Sequence, residues 1–309
     1  MMLPTADTSL PLLVVVTGPT ASGKTGVGIQ LAQHFQTEIL SADSRQCYRE
    51  LNIGVAKPSP PELHAAKHYF IDSHSIHQPV DAAGFAEYGL AVLGKLFKEK
   101  NIAIVVGGTG LYIKALCEGV DDIPKVPETI REEVISLFNE RGIEGLQGKL
   151  KAVDPIYFAD GEIKNPQRVM RALEVRLHTG KSIRQFQQGS AKPRPFRVLY
   201  LGLEVPREKL HQQINTRVDE MMERGLLKEA EQLMAHRQLN ALQTVGYTEL
   251  FNYFDGKNTL DEAIDLIKIH TRQYAKRQIT WFKKVPGMNW VAPERVEEMT
   301  GRILEYIST

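Results

Sequence analysis

"LLVVVTGPTASGKTG", residues 12–26, decides how the rest of the chain is read. Its first five residues are a continuous apolar run, too short for a helix and of the kind buried on both faces of a parallel sheet. The residues that follow, Gly18, Pro19, Thr20, Ala21, Ser22, Gly23, Lys24 and Thr25, fit the Gly-x4-Gly-Lys-Thr loop at every defined position. Glycines at those places let backbone N–H groups converge on phosphate oxygens. The helix that opens at Lys24 adds partial positive charge, and Lys24 adds a full one. Thr25 can ligate Mg²⁺ through its hydroxyl. The loop recognises a diphosphate or triphosphate and says nothing about the rest of the molecule.

Outward from that loop, apolar runs of strand length recur at 38–40, 103–106 and 198–203, with helical patterns at 24–35, 81–100, 127–140, 165–179, 206–235 and 259–284. Asp81 can cap the second helix, and Asn165 followed by Pro166 is a strong start for the fourth. Continuous rather than alternating hydrophobicity predicts strands covered on both faces. The fold class is therefore α/β: a P-loop NTPase-like core with a mainly parallel sheet flanked by helices. Residues 121–196 show helical pattern without a convincing strand, between segments rich in Pro and Gly. They are expected to form a mostly helical insertion domain, leaving 10–120 and 197–309 as the core.

At 309 residues and 42% hydrophobic content, the chain can bury a real core. Cys47 and Cys117 are its only cysteines, which excludes a disulfide framework and a four-cysteine zinc site and fits a reducing compartment, the cytoplasm by default. The opening residues lack a basic region, and their apolar run is far below the roughly 20 residues of a bilayer span, so neither export nor membrane insertion is expected. Formal net charge is only +1, but it is unevenly spread. Residues 181–197 carry five Lys and Arg and no acid, and residues 268–284 carry six and no acid. Cations concentrated on an otherwise acidic chain match a local nucleic-acid footprint. Within the second stretch, Arg272, Lys276 and Lys283 fall within about 40° of one another on a helix, with Arg277 and Lys284 on an adjacent stripe.

An ATP hydrolase adds a second apolar strand ending in an acid that helps hold Mg²⁺. Here "IAIVV" runs into "GGTGLY", with no carboxylate at its end. The strand in "EILSADS" does lead to Asp43, a carboxylate at the carboxyl edge of the sheet, where open α/β sheets bind ligands. An Asp beside a Ser at such a junction also caps turns, so position alone leaves a catalytic and a structural role open.

Six blocks, in order, carry a resemblance: "GPTASGKT" (18–25), "SADSRQCYRELNIGVAKP" (41–58), "GGTGLYIKAL" (107–116), "NPQRVMRALEV" (165–175), "TVGYTEL" (244–250) and "TRQYAKRQITWFKK" (271–284). Together they resemble the tRNA dimethylallyltransferases of bacterial type, also called tRNA isopentenyltransferases, over about residues 12–285. The resemblance implies transfer of a dimethylallyl group from dimethylallyl diphosphate to N6 of the adenosine 3′ of the anticodon, with Mg²⁺ as cofactor. Residues 18–25 would hold the leaving diphosphate with help from Arg217. Asp43 would accept the proton of the amine, and Thr109 would lie near the reacting centre. Ser44, Arg45 and Gln46 follow Asp43 in a block that contacts the tRNA. Gln167, Arg168, Val169, Met170 and Arg171 form another such element, and Arg131, Arg272, Lys276 and Arg277 are expected to join it. The partner would be the tRNA anticodon stem-loop, met by a monomer without membrane attachment.

Two departures stand out. Cys47, Glu50 and Leu51 replace residues more often small or turn-forming, and "KHYFID" (67–72) lacks a second histidine. Two other enzyme classes remain open. A small-molecule P-loop kinase using ATP explains residues 12–35 equally well, and an adenylate isopentenyltransferase shares the chemistry with a free nucleotide. An RNA-binding protein with a degenerate phosphate site is disfavoured by the intact Gly18, Lys24, Thr25 and Asp43.

Overall fold

The computed structural model describes residues 10–187, 189 and 191–308. The expectation for residues 1–9 lies outside them. Strand β1 (Leu12–Thr17) passes through the glycine loop into α1 (Lys24–His34), followed by β2 (Ile39–Ser41), α2 (Pro60–Ala65), β3 (His68–Tyr69), α3 (Ala82–Leu96), β4 (Ile102–Gly107) and α4 (Gly110–Glu118). Three helices come next: α5 (Glu128–Val153), α6 (Pro155–Asp160) and α7 (Pro166–Thr179). The chain then runs through β5 (Arg197–Leu203), α8 (Arg207–Glu223), α9 (Leu226–Gln232), α10 (Tyr247–Phe254), α11 (Leu260–Phe282), β6 (Asn289–Val291) and α12 (Val296–Ser308).

The six strands form one sheet in the order β3-β2-β4-β1-β5-β6, every pair parallel. β1 lies between β4 and β5, and Leu12 to Val16 are all at most 1% exposed. Alternate residues serve opposite faces. Leu13 and Val15 pack into one core, and Leu12, Val14 and Val16 into another. This is why the run is continuous rather than alternating. The expected strands correspond to β1, β2, β4 and β5. The short edge strands β3 and β6 were not anticipated. β1, β2 and β4 all end at the same edge of the sheet, which gathers the glycine loop, Asp43 and Gly108 there.

The chain divides into two compact units. One runs to Cys117 and resumes at Pro193, and the other spans Glu118–Lys192. The insertion was expected at 121–196, so both boundaries fall slightly earlier. It has its own core, in which Val134, Leu146, Leu150, Val169 and Leu173 are buried. Asn165 caps α7 as expected, accepting from the N–H groups of Gln167 (3.1 Å) and Arg168 (3.4 Å). At the insertion's ends, the Lys192 N–H donates to the Glu118 carbonyl at 2.7 Å.

Two helix extents differ from the sequence reading. The helix expected at 127–140 continues as α5 to Val153, across a kink at Gly142 (φ 60°). The helix expected at 206–235 is broken between α8 and α9 by Gly225 at φ 98°, a left-handed position that ends helices. Among the described residues, no helix is long and apolar enough to cross a membrane.

Candidate active site

The glycine loop is built from unusual backbone. Gly18 has φ 150° and Gly23 φ 83°, both in the region that favours glycine, and Ala21 sits at φ 63°, a left-handed conformation that costs a non-glycine residue about 1 kcal/mol or more. A Cβ on Gly18 would lie 3.1 Å from the Leu203 carbonyl oxygen. Gly23 supplies no side-chain cap to α1, so the first N–H groups of that helix are left for another acceptor. Ser22 Oγ is buried without a hydrogen-bond partner, and Lys24 Nζ folds back to donate to Pro19 O at 2.6 Å. Removal of its ammonium from water, reinforced by the nearby Arg217 guanidinium and opposed by Asp43, pulls the Lys24 pKa down to about 7. An orphaned hydroxyl, a helix start without a side-chain cap and a desolvated cation in one loop together fit an anion.

Asp43 stands just past β2. Its Oδ1 accepts from the backbone N–H groups of Arg45 (2.8 Å) and Gln46 (3.2 Å), so the carboxylate does cap a turn. Both bonds fall on one oxygen, which leaves the carboxylate able to take part in chemistry as well. Asp43 borders two cavities. One, of about 40 Å³, is shared with Lys24, Thr25, Ser41 and His68. The other, of about 530 Å³, is shared with Thr20, Ser44, Arg45, Arg217 and Tyr274 on its polar side and with Ile214, Val218, Met221, Leu226 and Ile267 on its apolar side.

Arg217, on α8, donates to Thr20 Oγ1 at 3.3 Å. This ties that helix to the phosphate loop, and burial lowers the guanidinium pKa from its ordinary value. Thr109 follows β4. Its hydroxyl accepts from Ser44 N–H at 3.1 Å, and its own N–H donates to Ala42 O at 3.2 Å, so the turns after β2 and β4 are stitched together beside Asp43. Thr25 and Asp43 offer hard oxygen donors to the smaller cavity. No group of three or more His, Cys, Asp or Glu able to hold a metal occurs among the described residues. The donor set thus suits a cation held mainly by phosphate and water.

The remaining predicted residues divide between the two units. In the sheet unit, Arg45 donates to Asn240 Oδ1 at 3.3 Å, while Gln46 Nε2 is committed to the carbonyls of Val55 (3.3 Å) and Ala56 (2.9 Å) and so braces its own loop. Arg272 donates to Asn215 Oδ1 at 2.7 Å, and Lys276 and Arg277 are exposed on α11, with Arg277 over the Tyr274 ring. In the insertion, Arg131, Gln167 and Arg168 are exposed, whereas Arg171 is half-buried, pairing with Glu174 and donating to Pro124 O. Val169 and Met170 are corrected as surface residues: both are buried in the insertion core, because α7 must turn one stripe inward, which leaves Gln167, Arg168 and Arg171 as the accessible side chains of this element.

The first basic stretch also reads differently in three dimensions. Arg184 pairs with Asp160, Arg194 donates to the carbonyls of Leu116 and Ala115, and Arg197 donates to Tyr306 O. These bonds tie the cations into the fold, whereas Lys276 and Arg277 of α11 are left exposed. Two residues of α11 escaped the sequence reading. Tyr274 lines the larger cavity, where burial, helped by the Asp43 carboxylate, pushes its phenol up to about 12. Gln278 is buried on the same helix and bonded at both ends of its amide. Both lie inside the "TRQYAKRQITWFKK" block, where the charge pattern drew attention to their neighbours.

Known proteins resemble this chain closely. The IPP transferase family model matches residues 46–285. A tRNA dimethylallyltransferase of Cytophaga hutchinsonii is 46% identical over 93% of this chain and 95% of its own length, and tRNA dimethylallyltransferase 1 of Bacteroides thetaiotaomicron is 42% identical over 96% of each. Among solved structures, the full-length tRNA isopentenylpyrophosphate transferase of Bacillus halodurans superposes with a TM-score of 0.71 at 33% identity, covering 96% of this chain and 97% of that one. A eukaryotic dimethylallyltransferase solved acting on tRNA gives 0.72 at 26% identity, covering 92% and 74%. With a family match across most of its length and relatives this similar nearly end to end, the chain belongs to the IPP transferase family.

Proposed function

We propose that this chain transfers a dimethylallyl group from dimethylallyl diphosphate to N6 of the adenosine 3′ of the tRNA anticodon, releasing diphosphate. One observation carries the reading. Asp43 borders both the small cavity beside Lys24 and Thr25 and the large, half-apolar cavity beside Arg217. A leaving group bound on one side and an acceptor amine entering on the other then meet at one carboxylate.

The glycine loop, Lys24 and Arg217 bind the diphosphate. The aliphatic wall of Ile214, Val218, Met221 and Ile267 takes the five-carbon chain and excludes water from it. As the allylic C–O bond breaks, its electron pair leaves with the diphosphate, and the growing charge is stabilised by cations already in place. The N6 lone pair forms the new C–N bond, and the amine proton passes to Asp43. Thr25 would hold Mg²⁺ at the loop, where it would neutralise phosphate charge. Ser44, Arg45 and the exposed cations of α11 grip the RNA, with Gln167, Arg168 and Arg171 as a second contact in the insertion. The adenosine must leave its stack to reach the cavity.

Incubation with dimethylallyl diphosphate and an unmodified anticodon stem-loop should add five carbons to one adenosine, read by nucleoside mass spectrometry. Modification of free AMP in place of the stem-loop, or phosphoryl transfer from ATP with no prenylation, would refute the assignment.

A further inference from the structure

Gln278 takes no part in the steps above, yet it is one of the few buried polar side chains of the sheet unit, at 7% exposure. Both ends of its amide are committed. Oε1 accepts from the Thr20 N–H at 2.8 Å, and Nε2 donates to the Gly108 carbonyl at 2.9 Å. These partners fix the orientation of the amide, since an N–H requires an acceptor and a carbonyl requires a donor. Thr20 belongs to the phosphate loop. Gly108 precedes Thr109, whose hydroxyl holds the Ser44 amide next to Asp43. A Cβ at position 108 would lie 2.1 Å from Gln278 Nε2, so only glycine permits this approach.

We propose that Gln278 is a positioning residue for the transfer reaction assigned above, holding the phosphate loop and the Gly108–Thr109 turn in fixed register so that leaving group and proton acceptor keep one separation. It touches neither substrate and acts through Thr20 and Gly108. Thr20 is held from two helices at once: Gln278 of α11 takes its N–H, and Arg217 of α8 donates to its hydroxyl. Because the Thr20 amide is already occupied, phosphate recognition falls to the remaining amides of the loop, whose direction depends on where Thr20 is pinned. Losing the clamp leaves a buried N–H and a buried carbonyl unpaired, and the loop can recover those bonds only by shifting.

Gln278→Met keeps the length of the side chain and removes both bonds. Calorimetry with inorganic diphosphate and Mg²⁺ should show Kd raised about tenfold or more. The KM for dimethylallyl diphosphate should rise in parallel, with anticodon stem-loop affinity changed by less than about twofold. The diphosphate titration needs no prenyl transfer. It therefore reads the clamp even if the wild-type protein failed to prenylate, a result that would strike the reaction assignment instead. If Gln278→Met does not fold, two variants carry the same measurement. Gly108→Ala displaces the amide from the other side, and Gln278→Glu keeps an acceptor for Thr20 while offering no donor to Gly108. Folded variants with lowered Tm but diphosphate Kd and KM within about twofold of wild type would overturn the proposal.

Discussion

In the sheet unit, β1 places five consecutive residues at 1% exposure or less between two cores. In the insertion, α7 buries only five of its fourteen residues, along one stripe, and leaves Gln167 and Arg168 in water. The first arrangement fixes loop ends from both faces, which suits a site where a displacement of about 1 Å can cost a hundredfold in rate. The second suits a surface that meets a large polyanion through long side chains, where geometry is less exacting. The proposed function assigns chemistry to the first region and recognition to the second, regions with different tolerance to change, and that assignment can be tested.

The largest expected effect belongs to the sheet unit. Asp43→Asn keeps an Oδ1 to accept from Arg45 and Gln46, so the turn survives while the proton acceptor is lost. Turnover should fall by about 10²–10⁴, with stem-loop affinity within a few-fold of wild type. A near-normal kcat would confine Asp43 to its capping role.

Leu173→Ala probes the insertion. Leu173 is fully buried in that unit's small core, and its truncation should cost about 2–5 kcal/mol there. Stem-loop binding should weaken in step, with inorganic diphosphate affinity unchanged. Equal loss of both would break the comparison, because the two regions would then be melting together.

Lys24 offers a smaller, pH-dependent effect. In the unfolded chain its pKa returns to 10.5, whereas in the folded ligand-free protein it is about 7. Between those values the unfolded state binds more protons, so stability rises with pH. The penalty of the buried charge is complete below pH 7 and is relieved above it, at up to about 1.4 kcal/mol per pH unit. Urea unfolding from pH 6.5 to 9 should show that slope in the wild type and lose it in Lys24→Met. Parallel curves would mean that the ammonium is not desolvated.

Smallest is the contribution of single surface cations. Replacing Arg272, Lys276 and Arg277 by Gln should weaken stem-loop binding and lower the salt slope by about two to three contacts. The pair Arg168 and Arg171 should lower it by at most about two. An unchanged slope in the α11 variant would move the main footprint elsewhere.

The central features were legible because their signals are local. A continuous apolar run, glycines at fixed spacing and a carboxylate at a strand end can each be read within ten residues, and the loop and Asp43 lie where those patterns put them. The edge strands β3 and β6, of two and three residues, are too short to show periodicity. Gln278 reaches partners 258 and 170 residues away, and no local pattern marks a bond of that span. Charge density alone does not show which cations already have partners. Arg184, Arg194 and Arg197 look like a nucleic-acid patch in sequence, but their partners are a carboxylate and backbone carbonyls supplied by distant segments. The break at Gly225 does have a local mark, a glycine inside a helical pattern.

The hydrogen bond from Lys192 to Glu118 brings together the points where the chain leaves and re-enters the sheet unit. Once the helices between them have formed, β5 reaches β1 at the entropic cost of a short connection rather than one of some ninety residues, because closure cost depends on the flexible length that remains. The insertion therefore behaves as a cassette. Exchanging residues 118–192 for a tight turn should leave the parallel sheet able to assemble while removing the segment's proposed contribution to RNA choice.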